Sequence, residues 1–224
     1  MRLERRGRWL ALGTAVLGFA CGGKDGGGTG PCTPGAATQL VKNGGDAQAW
    51  YFDNPLPAAL SVKALDANNC AVPGVAVNWA VASGGGVVSP TQSTTNASGV
   101  ASTNDSVGGS TPQSVTATFT GLSSPVTFTA TAAAPPTSGA VSLQNRAFNP
   151  SSVVVKSGGT VTWTWNDNPT PHNVTFTSGP PAGRPTNSPT QATGTYAPAF
   201  ATPGTYGYHC TLHGGMDGTV TVVH

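Results

Sequence analysis

Cys210-Thr211-Leu212-His213-Gly214-Gly215-Met216 sets a thiolate, an imidazole and a thioether within seven residues near the C-terminus. A second imidazole, His172, lies 38 residues upstream of Cys210, in Pro169-Thr170-Pro171-His172-Asn173-Val174. Two His and one Cys around a metal, with a weak axial Met, make the donor set of a blue-copper electron-transfer site. Zinc uses His and Cys but has little use for a thioether, so Met216 tips the reading towards copper. Successive side chains of a strand alternate faces, so Cys210, His213 and Met216 meet at one point only if the chain turns after Cys210. Gly214 and Gly215 are expected to allow that turn, because glycine accepts positive φ at little cost.

The ligand stretch resembles the cupredoxins, and its short Cys-x2-His-x2-Met loop looks most like that of the amicyanins; plastocyanin and pseudoazurin have longer His-to-Met spacing. Phe148-Asn149-Pro150 and the run Val153-Val154-Val155-Lys156-Ser157-Gly158-Gly159-Thr160-Val161-Thr162-Trp163 look like the opening half of the same fold. The resemblance covers roughly residues 139–224 and implies a Greek-key sandwich holding one type 1 copper. It implies His172, Cys210, His213 and Met216 as ligands, with His213 at the solvent edge as the electron port. Asn173 and Thr211 match positions that tie the two ligand loops together in the family. His209, on the other strand face from Cys210, is expected not to ligate.

Upstream, short alternating runs recur: Leu60, Val62, Ala64; Val75, Val77, Trp79, Val81; Val115, Ala117, Phe119. Turn signals separate them at Asp66-Ala67-Asn68-Asn69, Val72-Pro73-Gly74, Ser83-Gly84-Gly85-Gly86 and Asn96-Ala97-Ser98-Gly99. This spacing predicts a β-sandwich over residues 38–132. The run from Ala64 to Trp79, with Thr95-Asn96-Ala97-Ser98-Gly99, resembles the bacterial Ig-like domains of the invasin/intimin type. That family implies a spacer or adhesion module and no active site. The whole chain is thus expected to be all-β, an Ig-like sandwich followed by a cupredoxin. A Pro-containing linker, 133–138, marks the boundary. A Pro-, Ser- and Thr-rich loop between Thr177 and Thr195 is long for a compact domain.

The N-terminus reads as an address. Met1 to Arg8 is a basic segment and Trp9 to Ala20 an apolar one, too short to span a bilayer but of the length of a secretory signal. Leu17-Gly18-Phe19-Ala20-Cys21 resembles a bacterial lipobox, which implies lipidation of Cys21 and a periplasmic or cell-surface lipoprotein anchored to a membrane. Its Leu sits one place further from the Cys than the family pattern, and ordinary cleavage after Ala20 is the alternative. The Gly-rich segment of residues 22–30 would serve as a flexible tether within residues 21–37. An even Cys count in an exported protein invites pairing, and Cys32 with Cys70 is the candidate disulfide; the alternative leaves both free.

Charge narrows the partners. The sequence has 10 Lys+Arg and 8 Asp+Glu. Removing Arg2, Arg5, Arg6, Arg8 and Glu4 with the signal leaves 6 and 7, a net charge near −1. Nothing here asks for nucleic acid. Within 139–224 only Arg146, Lys156 and Arg184 face Asp167 and Asp217, so strong electrostatic steering is not expected. No nucleophile–base constellation stands out among the many Ser and Thr, and no small-molecule substrate is implied. The expected function is single-electron transfer to and from redox partner proteins, not enzymatic catalysis. Copper storage or delivery is one alternative, and a surface interaction protein with an incidental metal site is another.

Overall fold

A computed structural model describes residues 32–224. The signal segment, Cys21 and the Gly-rich tether up to residue 30 lie outside the described residues. The described chain is all-β apart from one short 3-10 turn, Pro181–Gly183.

Nine strands build the first half: β1 (Gln39–Gly44), β2 (Gln48–Tyr51), β3 (Leu60–Leu65), β4 (Ala76–Ser83), β5 (Gly86–Ser89), β6 (Gln92–Thr94), β7 (Val100–Val107), β8 (Gln113–Thr118) and β9 (Val126–Ala133). They form two sheets, ordered β1-β3-β7-β5 and β2-β9-β8-β4-β6. The period-2 pattern decides which side chains face inward. Leu60, Val62 and Ala64 from one sheet meet Val77, Trp79, Val115, Ala117 and Phe128 from the other in one buried cluster. Each large aliphatic side chain so buried contributes roughly 1.5–3 kcal/mol. Val75 and Phe119 fall just outside β4 and β8 and are only partly buried against that core.

The turns follow the side chains that can close them. Asp66 accepts backbone N–H groups from Asn68 at 2.8 Å and Cys70 at 2.9 Å, and a third from Gly35 at 2.9 Å. Asn96 Oδ1 accepts from the N–H groups of Ser98 and Val100. Cys32 and Cys70 are joined in a disulfide, their Cα atoms 5.7 Å apart, which secures the segment before β1 to the turn after β3.

The second half adds β10 (Ser138–Gln144), β11 (Ala147–Asn149), β12 (Ser152–Lys156), β13 (Gly159–Trp165), β14 (Thr175–Phe176), β15 (Thr195–Tyr196), β16 (Ala199–Phe200), β17 (Gly204–His209) and β18 (Asp217–Val223). One sheet runs β11-β10-β13-β15 with β16 also on β13, and the other runs β12-β18-β17-β14. In β13 Val161, Trp163 and Trp165 face inward, while the alternating threonines do not. Trp163 meets Phe176 and Tyr208 edge-on, with centroids 6.1 and 5.1 Å away. Such pairs add about 0.5–1.5 kcal/mol beyond burial. Tyr206 donates its hydroxyl to the Thr202 carbonyl at 2.7 Å, closing the corner that leads into β17.

The join between the halves is short and pinned. The carbonyls of Pro136 and Thr137 accept from the N–H groups of Lys156 and Thr160, so only residues 134–135 are free of the flanking pairing. At the far end of β18 the backbone N–H of His224 donates to Asn54 Oδ1 at 2.9 Å, and Asn54 Nδ2 reaches the His224 carbonyl at 3.4 Å. The imidazole of His224 is exposed while its backbone docks.

Candidate metal centre

β17 carries the chain into the site, and β18 takes it out again in antiparallel register, His209 opposite Asp217. The loop between them is closed by the Cys210 N–H on the Met216 carbonyl at 3.0 Å. Inside it, His213 N–H approaches the Cys210 carbonyl at 3.5 Å and Met216 N–H the His213 carbonyl at 3.3 Å. The loop is therefore two stacked turns that bring residues 210, 213 and 216 to one side. Gly215 takes a φ of +78°, the left-handed region that favours glycine. Gly214 is not among the positive-φ residues, so of the two glycines only Gly215 has the role expected of both.

His172 enters from the opposite side. Its backbone exchanges two hydrogen bonds with Gln191, and its carbonyl also accepts Trp165 Nε1–H at 2.9 Å. The long loop of residues 177–194 is thus tied to the site. Residues 187–191 run beside 172–176, with Ser188 and Asn187 side chains accepting the N–H groups of Val174 and Phe176. Sequence alone could not place this loop, because its backbone and side-chain contacts with residues 172–176 follow no local pattern.

Three ligand-type atoms converge. His172 Nδ1 and His213 Nδ1 are 3.1 Å apart, and Cys210 Sγ lies 3.5 Å from His213 Nδ1 and 3.9 Å from His172 Nδ1. Metal–nitrogen bonds of about 2.0 Å and a metal–sulfur bond of about 2.3 Å in a trigonal plane call for edges of about 3.5 and 3.7 Å. The triangle is of that size. His172 and Met216 are 0% and 1% exposed and Cys210 is 3% exposed, whereas His213 is partly exposed. Met216 sits in the same buried cluster as Cys210. Two imidazoles, one buried free thiol and a nearby thioether are a soft, borderline donor set of the kind copper takes.

The two ligand loops are bound to each other. Asn173 Nδ2 donates to Thr211 Oγ1 at 2.7 Å and Thr211 N–H donates to Asn173 Oδ1 at 2.9 Å; Asn173 Nδ2 also reaches Thr190 Oγ1 at 3.0 Å. One participant was not singled out from the sequence: Asp167, whose Oδ2 lies 3.0 Å from His172 Nε2. That hydrogen bond, then the backbone N–H of Arg146, holds the Asp167 carboxyl below the usual carboxylate range. Loss of hydration, followed by the neighbouring His172 and Arg146, lowers the His213 imidazole. Burial pushes the Tyr208 hydroxyl up to about 12, so it stays protonated beside the site.

The sequence pattern of the plastocyanin/azurin family of copper binding proteins matches residues 138–223. Amicyanin-alpha of Methylorubrum extorquens is 41% identical over 90 residues, which are 40% of this chain and 75% of that protein. Plastocyanin of Scenedesmus fuscus is 41% identical over 87 residues, covering 34% of this chain and 85% of that protein. A solved purple cupredoxin from Nitrosopumilus maritimus is similar over 38% of this chain and 98% of its own, at 29% identity and a TM-score of 0.33. The cofactor is one copper ion, in keeping with the donor cluster. Through this C-terminal segment, the chain belongs to the plastocyanin/azurin family of copper binding proteins.

Proposed function

We propose that the chain is a type 1 copper electron-transfer protein tethered outside the cytoplasm, with His172, Cys210, His213 and Met216 as the copper ligands. The observation that carries this reading is the convergence of His172 Nδ1, His213 Nδ1 and Cys210 Sγ within 4.8 Å of one another. Copper held there supplies a single-electron Cu(II)/Cu(I) couple. Cys210 serves as thiolate, since coordination removes its proton. Buried His172 and Met216 keep water from the inner side, and the Asn173–Thr211 pair keeps the two loops at a fixed separation. Such a site changes little between redox states.

His213, the partly exposed ligand, is the electron port, and Leu212 beside it is 49% exposed. Redox partner proteins dock there through a largely uncharged surface, so the exchange rate depends weakly on salt. Residues 38–132 act as a bacterial Ig-like spacer and residues 139–224 as the cupredoxin domain. Cys21 carries the lipid that anchors the protein on the periplasmic or cell-surface side of a membrane.

The test is a visible absorption spectrum of the full chain titrated with Cu(II). An intense copper–thiolate band that saturates at one equivalent, bleaches reversibly with reductant and vanishes in Cys210→Ser is expected. A colourless protein would overturn the reading. Loss of the metal to an acceptor protein on every reduction would point to delivery instead.

A further inference from the structure

We propose that Asp167 is a positioning residue of the copper site: its carboxylate, held by the β10–β11 hairpin, selects the His172 tautomer that offers Nδ1 to the metal. The inference rests on the copper reading above and adds to it a residue outside the ligand set.

A neutral imidazole has one N–H and one lone-pair nitrogen, and a carboxylate only accepts hydrogen bonds. Asp167 Oδ2 is 3.0 Å from His172 Nε2, so the proton belongs on Nε2. The lone pair is then on Nδ1, the nitrogen that faces His213 Nδ1 at 3.1 Å and Cys210 Sγ at 3.9 Å. The His172 backbone is already fixed by Gln191 and by Trp165 Nε1–H, but those bonds leave the ring free to turn. Asp167 is what holds the ring from its outer edge. Partners of this kind fix the orientation of metal-binding histidines, and removing one costs 10–100-fold in metal affinity.

The carboxylate is itself placed by a distant part of the chain. Gln144 pairs with Ala147, which leaves Asn145 and Arg146 as a two-residue hairpin loop. Both take positive φ, 52° and 55°, the requirement of a type I′ turn. Asn suits that position and Arg does not, yet this geometry turns the Arg146 N–H onto Asp167 Oδ2 at 3.3 Å. The Asp167 side chain is 23% exposed, so a little water reaches the carboxylate while His172 stays dry.

Two readouts on the full chain separate this role from mere structural support. In the metal-free protein, with imidazoles neutral, 15N chemical shifts should show His172 Nε2 protonated and Nδ1 bare. Asp167→Ala should give a mixture of tautomers and a roughly 10–100-fold weaker Cu(II) affinity. Asp167→Asn keeps an oxygen acceptor but loses the charge. It should retain the tautomer and raise the reduction potential, because the charge favours the more positive metal; a tenfold greater loss for Cu(II) than Cu(I) reads as about 59 mV. A wild-type His172 protonated on Nδ1 would overturn the proposal, as would an Asp167→Ala protein with unchanged tautomer and affinity. Because the tautomer is read without metal, its outcome stands apart from whether the wild type turns blue.

Discussion

Asn173 and Thr211 hydrogen-bond each other twice, side chain to side chain at 2.7 Å and backbone to side chain at 2.9 Å, and each directly follows a candidate ligand, His172 and Cys210. The pair is the shortest physical link between the two ligand loops. Asn173→Ala removes both bonds and, with Asn173 only 6% exposed, leaves a dry gap. The expected loss is about 1–3 kcal/mol in urea unfolding of the metal-free protein. Asn173→Asp, which can still accept from the Thr211 N–H, should recover part of it. Equal losses for both variants would mean that the Thr211 N–H bond contributes nothing.

Gly215 and Gly214 should respond differently to substitution. A Cβ on either meets nothing within 4 Å, so only the backbone conformation matters. Gly215→Ala forces a side chain into φ +78° and should cost about 1 kcal/mol. Gly214→Ala should lie within about 0.5 kcal/mol of wild type. Thermal unfolding of the two variants under the same conditions decides the point.

The convergence of donor side chains at the end of β17 was legible because most of its signal is local. Cys210, His213 and Met216 sit at one spacing in one loop, and Asn173 and Thr211 are neighbours of candidate ligands. The alternation of Leu60, Val62 and Ala64, and of Val77 and Trp79, marked the faces of β3 and β4 for the same reason. Asp167 was not legible: it reaches His172 across Asn168-Pro169-Thr170-Pro171 and owes its aim to a hairpin over twenty residues earlier. Asp105 was hidden differently. β7 reads Ser102, Thr103, Asn104, Asp105, Ser106 in succession, and an all-polar run does not say which side chain turns inward.

Two carboxyls of the first half should give opposite pH dependences. Asp66 accepts three backbone N–H groups, led by those of Gly35 and Cys70, and its pKa is lowered. Its contribution is therefore present above the ordinary carboxylate range and lost as pH falls through the lower folded value. Asp105 is 3% exposed with Oδ1 unpartnered, and burial raises its pKa. The folded state then holds that proton more tightly than the unfolded one, so stability falls as pH rises from the ordinary carboxylate range through the raised folded value. Urea midpoints should show Asp66→Asn losing ground to wild type as pH rises through the acidic range up to the ordinary carboxylate value, and Asp105→Asn gaining on wild type as pH rises from that value towards neutral.

Asn54 is 3% exposed and holds both backbone groups of His224. Asn54→Ala should leave each half folded while the end of β18 opens to solvent. Amide hydrogen exchange should speed up at His224 and stay unchanged at the Cys210 and Met216 amides. Faster exchange at those two as well would mean that the join supports the metal loop.

β18 has its two ends in different business. It begins one residue after Met216 and ends one residue before the His224 backbone that Asn54 grips. Seven residues of strand span about 23 Å. The donor cluster and the join therefore sit at opposite ends of one strand, and a change made at the join must cross its full length to reach the cluster.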